Sequence, residues 1–119
     1  MSNYARYIQD GDEVDYTPTA DTPAGTVVAQ ADLIGVTKKP IEANTLGAIA
    51  VEGVYDFPKA AGAGSGIAAG KTVYWDPVNS VATTAANDGG TPPTAYTMIG
   101  KVVAAAEDAD ATVRVRLHQ

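Results

Sequence analysis

The stretch GSGIAAGKT at residues 64–72 ends in Gly70-Lys71-Thr72, the closing letters of a phosphate-binding loop. Such a loop needs G-x-x-x-x-G-K-[ST]. Its glycines let backbone N–H groups cradle the phosphates, its lysine reaches the β- and γ-phosphates, and its hydroxyl binds Mg²⁺. Counted back from Gly70, the place of the first glycine is held by Ser65, while Gly66 makes the loop too short and Gly64 makes it too long. A phosphate loop also follows a buried strand and opens a helix whose N-terminus faces the anion. Here VYWDP comes next, and its β-branched and aromatic residues with Pro77 predict a short strand and a turn. No later segment reads as a strand ending in a Mg²⁺-binding aspartate. The residues therefore predict a small-residue surface loop, AAGAGSGIAAG, before a strand. An ATP-dependent enzyme would instead require nucleotide binding that is lost in Lys71→Ala.

Other candidate chemistry is sparse. His118 is the only histidine and is penultimate in the sequence, where neighbours rarely hold a catalytic base in a pocket. Asp10, Asp12, Glu13 and Asp15 form one acidic cluster, and Glu107, Asp108 and Asp110 form another. Hard cations take several carboxylate oxygens, but Val14 stands where the EF-hand pattern needs its third ligand. Turn chemistry and solubility account for these acids more simply. Trp75, with Tyr74 and Tyr55, is a candidate sugar platform, although such rings more often serve cores and interfaces. A carbohydrate- or surface-binding module would need the Trp75 indole exposed in a shallow groove. No cofactor or metal is expected from these sets.

The elements that would position these residues follow from composition and pattern. The chain has 119 residues, a formal net charge of −6 and no cysteine. One domain is expected, without disulfides, thiolate-held metal or thiol catalysis. The acidic balance and scattered basic residues argue against nucleic-acid binding. No apolar run approaches a bilayer span, and MSNYARYIQDGDEVDY lacks the apolar stretch of a secretory signal, so neither a membrane partner nor the ordinary secretory route is expected.

Proline or glycine interrupts the sequence every few residues, and short runs of Val, Ile, Thr and Tyr lie between. They predict strands near residues 4–8, 13–17, 26–30, 33–37, 46–56, 72–76, 80–84, 97–106 and 111–117. This spacing points to an all-β sandwich or barrel. Ala31-Asp32 is placed to close a hairpin, Asp76-Pro77-Val78-Asn79 to form a proline-favoured turn, and residues 107–110 to form another. In ATVRVRL, Val113, Val115 and Leu117 share one face, leaving Arg114 and Arg116 for solvent or a subunit contact.

Residues 1–12 differ from the rest, because neither face of their alternation is clearly apolar and DGDEVD reads as an acidic hinge. A segment carrying Tyr4, Arg6, Tyr7 and Ile8 suits an extended arm laid on a neighbour, since tyrosine and arginine join apolar area to a polar tip. It suits a frayed terminus or an ordinary first strand equally well. The expected division is an arm at 1–12 and a β domain at 13–119.

Four stretches, taken together, resemble a known family. They are YIQDGDEVDYTPTADTPAGTVV at 7–28, IEANTLGAIAVEGVYDFPKA at 41–60, GKTVYWD at 70–76 and IGKVVAAAEDADATVRVRL at 99–117. In this order they resemble small tailed-phage proteins described as capsid decoration or cement proteins. No single piece is a sharp motif, and the series carries the likeness. Such proteins also carry the label RecA/RadA-like recombinase, which the malformed phosphate loop, the short chain and the acidic charge do not support. The resemblance implies a non-catalytic virion protein, made in the host cytoplasm. It would bind the outside of the expanded head, against the major capsid protein, commonly as a homotrimer. On that expectation Tyr4, Arg6, Tyr7 and Ile8 are shell contacts. Tyr55 and Phe57, from the block at 51–58, and Arg114 and Arg116 are candidate subunit contacts. The insert NDGGTPPTAYT at 87–97 departs from the family pattern and reads as an exposed loop.

Overall fold

The alternation in the C-terminal run is realised directly. In a computed structural model describing residues 5–118, Val113, Val115 and Leu117 are buried and Thr112, Arg114 and Arg116 exposed. Nine strands form, and no helix among the described residues. They are β1 (Glu13–Tyr16), β2 (Val27–Gln30), β3 (Leu33–Val36), β4 (Gly47–Ala50), β5 (Gly53–Pro58), β6 (Thr72–Asp76), β7 (Val81–Thr83), β8 (Thr97–Ala104) and β9 (Thr112–Leu117). One antiparallel sheet has the order β1-β4-β3-β2, and a second has the order β5-β9-β8-β6-β7. A parallel bridge from Lys59 to Ala82 joins the end of β5 to β7, so the second sheet curls almost closed. The all-β, single-domain expectation holds.

Two expected strands turn out differently. The run at 46–56 is two strands in different sheets, because the chain leaves β4 at Ala50 and enters β5 at Gly53. Gly53 has φ 124°, and a Cβ there would press on the Tyr55 ring at 3.0 Å, so only glycine makes this crossing without strain. The strand expected at 4–8 is not found at residues 5–8, which pair with no strand among the described residues; Tyr4 is outside the described residues.

The turns form where punctuation placed them. Gln30 pairs with Leu33 around Ala31-Asp32. Asp76 Oδ1 accepts from the Val78 and Asn79 amides at 3.0 and 3.2 Å, and Asp76 then pairs with Val81. The core lies between the sheets, where Ile34 and Val36 meet Phe57, Trp75, Ile99, Val102, Val113, Val115 and Leu117. Gly35 is required here. A Cβ would sit 2.6–2.9 Å from Ile49, the fully buried residue on the opposite face of the first sheet.

Candidate interaction surfaces

The glycine loop is built around a carboxylate of its own chain. Gly64 N donates to Asp108 Oδ2 at 3.1 Å and Gly66 N to Asp108 Oδ1 at 2.7 Å. Gly62 N and Ser65 Oγ donate to the Asp108 carbonyl at 2.7 and 2.9 Å. A Cβ at Gly66 would approach Asp108 Oδ1 to 2.8 Å, so the glycine is needed for this close fit. The Gly64 and Gly66 amides hold the Asp108 carboxyl below the usual carboxylate range. The N–H groups that a phosphate would need are thus occupied, and β6 follows where a phosphate loop would open a helix. Lys71 is exposed beside this loop. The loop lies at the surface before a strand, as the sequence predicted, and Asp108 makes it a structural staple, which the sequence did not indicate.

Lys59, which sequence reasoning passed over, secures the same junction. It is 5% exposed. Its Nζ donates to the carbonyls of Ala60 and Asp110 at 2.7 and 2.8 Å and, weakly, to Ser65 Oγ at 3.4 Å. An ammonium is tolerated in the interior only when its donors are met, and here neutral oxygens from three residues meet them. The one available signal was its place two residues after Phe57, in the inward phase of the β5 alternation.

The aromatic platform does not form. Trp75 is only 8% exposed and meets Phe57 edge-on, with ring centroids 6.3 Å apart at 63°. Phe57, expected as a subunit contact, is 1% exposed, so its ring serves this chain's core and is closed to a second subunit. Tyr55 is half-buried and donates its hydroxyl to the Glu52 carbonyl at 3.3 Å. Tyr74 lies on the other side of β6 from Trp75, because side chains alternate along a strand. His118 is exposed, with Nδ1 3.7 Å from a Glu52 carboxylate oxygen and no nucleophile in the pair.

The remaining described residues expected as contacts lie in two exposed regions. The first is residues 5–12, outside both sheets. Tyr7 and Ile8 are 77% and 71% exposed, Arg6 is exposed, and the Tyr7 hydroxyl donates to Asp10 Oδ1 at 2.9 Å. That hydrogen bond raises the Tyr7 pKa. The Val51 amide donates to the Asp12 carbonyl at 2.9 Å and ties the end of the segment to the body. The acids at 10–15 are exposed, and among the described residues no group of three or more His, Asp or Glu is gathered to hold a metal.

The second region is the outer face of the five-stranded sheet. Arg114 lies opposite Asp56 and pairs with it through Nε at 3.0 Å and Nη2 at 3.3 Å. The hydrogen bond holds Asp56 below, and Arg114 above, its ordinary pKa. Arg116 lies opposite Val54 on one side and Lys101 on the other. Met98, Lys101, Val103, Arg116 and His118 surround a shallow hollow of about 380 Å³. Arg114 and Arg116 thus share one face, as the alternation required.

A model of the family described as phage cement protein matches residues 8–117. No curated protein and no solved structure matches the chain.

Proposed function

The chain belongs to the phage cement protein family, and from that premise we propose that it decorates the outer surface of the expanded head and braces it, without catalysis. The family makes it a capsid-associated structural protein. The observation that carries the finer reading is the segment at 5–12. It presents Arg6, Tyr7 and Ile8 to solvent ahead of a folded body, with large apolar side chains that the chain's own core does not use. With Tyr4 they form the shell contact in this proposal. An arm ordering on the shell would add main-chain hydrogen bonds as an extra strand. Binding the expanded lattice in preference to its precursor would stabilise the expanded state by mass action.

Three linked copies on one head would gain avidity of roughly 10²–10⁴ over a lone domain, which favours a homotrimer on the major capsid protein. The protein would be made in the host cytoplasm and join the virion after expansion. The carbohydrate-module reading has lost its support, since the indole it needs exposed is in the core. The test is deletion of residues 1–12, followed by co-sedimentation with expanded heads. The truncated protein should keep its circular dichroism and thermal transition and lose head binding. Binding at wild-type strength would sink the arm.

A further inference from the structure

We propose that the outer face of the five-stranded sheet receives the acidic segment at residues 10–15 of a second copy of this chain, in a head-to-tail contact. The proposal rests on the oligomeric part of the function proposed above and is independent of its capsid part. The starting observation is a cross-strand clash of like charge. Lys101 on β8 lies directly opposite Arg116 on β9, an arrangement that destabilises a sheet unless an anion neutralises it. Among the described residues Asp56 is met by Arg114 and Glu52 lies 3.7 Å from His118, so neither Lys101 nor Arg116 is matched by a carboxylate. The Lys101 ammonium donates to the neutral Thr72 Oγ1, at 2.6 Å. Three of the eight lysines and arginines therefore share this face, in a chain of net charge −6.

The face is also partly apolar. Val54, Met98 and Val103 are 55%, 39% and 46% exposed around the same strands. Apolar patches edged by arginine resemble the contact surfaces of stable interfaces.

The occupant is chosen by charge complementarity within the chain. Most other acidic groups near structured backbone are engaged at home. Asp56 holds Arg114. Asp76 and Asp88 hold their own turns. Asp108 and Asp110 hold the glycine loop and the Glu107 turn. Asp10, Asp12, Glu13 and Asp15 are the densest exposed carboxylates, and none forms an ion pair among the described residues. A contact between one patch and a different segment of the next copy is heterologous, and it closes into a ring when the rotation allows. A three-membered ring of this kind leaves the preceding residues of the arm free to reach the shell.

The test is the solution mass of the full chain by light scattering, across concentration and salt. Wild type should be oligomeric and should dissociate more readily as salt rises. Lys101→Glu with Arg116→Glu should weaken association roughly 100-fold by placing like charges together. Asp12→Lys with Asp15→Lys should do the same. The chain carrying all four changes should reassociate, which also shows that the reversals fold. A wild type that stays monomeric, a sheet reversal without effect, or a four-fold chain that stays dissociated overturns the proposal. Wild-type binding to expanded heads is measured separately. A monomer that still decorates heads removes this contact and leaves the capsid reading standing.

Discussion

Residues 107–110 and residues 10–15 are both short, exposed and rich in carboxylates, yet they have opposite environments. In the first segment two acids, Asp108 and Asp110, are turned back onto backbone N–H groups. Asp108 fills the glycine loop, and Asp110 Oδ2 accepts from the Glu107 amide at 2.8 Å. In the second, Asp10 accepts one hydrogen bond from Tyr7, and the remaining carboxylates face solvent without an ion pair among the described residues. The difference separates acids that hold a fold from acids that remain available to a partner. Composition alone does not make this distinction, because both segments read as solubilising turns.

The comparison can be broken first at Lys59, whose ammonium joins the glycine loop to the 107–110 turn. Lys59→Met keeps the apolar stem but leaves the Ala60 and Asp110 carbonyls without that donor. The expected loss is about 1.5–3 kcal/mol, the usual worth of a hydrogen bond made by a charged group, read from denaturant midpoints at constant slope. A midpoint equal to wild type would mean that the junction does not depend on the ammonium.

The next effect is on acid stability. The folded pKa of Asp108 lies below its unfolded value, which is about 3.9 for a free aspartate. Its contribution is therefore complete above that pH and is lost as pH falls towards the lowered folded value. Asp56, Asp76 and Asp88 shift in the same direction. Thermal melts from pH 6 downward should fall below about pH 4, and Asp108→Asn should flatten that fall while lowering Tm at neutral pH. A profile parallel to wild type would sink the staple.

The smallest effect on stability is expected in the other segment. Asp12→Asn with Asp15→Asn should change unfolding free energy by no more than about 0.5 kcal/mol, as for ordinary surface positions. The same change should weaken self-association measurably. A large stability loss would show that the two acidic segments are alike after all.

Much of the fold was legible from the sequence because it depends on local rules. Period-two patterning marked β9, and punctuation marked the hairpin at Ala31-Asp32 and the turn after Asp76. The faulty glycine spacing already argued against a phosphate site. The segment at 46–56 was not legible as two strands, because an apolar run reports burial and does not report which sheet buries it. The place of Phe57 was hidden for the same reason, since an aromatic residue serves cores and interfaces alike.

By itself, then, the sequence determined an acidic, cysteine-free chain of short strands with its family's order of segments, since periodicity and turn chemistry act over a few neighbouring residues. Only the tertiary structure decided that Asp108 fills a loop more than forty positions earlier in the chain. The same holds for the enclosure of Lys59 and Trp75 and for the meeting of Lys101 with Arg116 across two strands. The physical reason is that burial, hydrogen-bond satisfaction and cross-strand charge depend on which distant segments the sheets bring together, and no local pattern records that register.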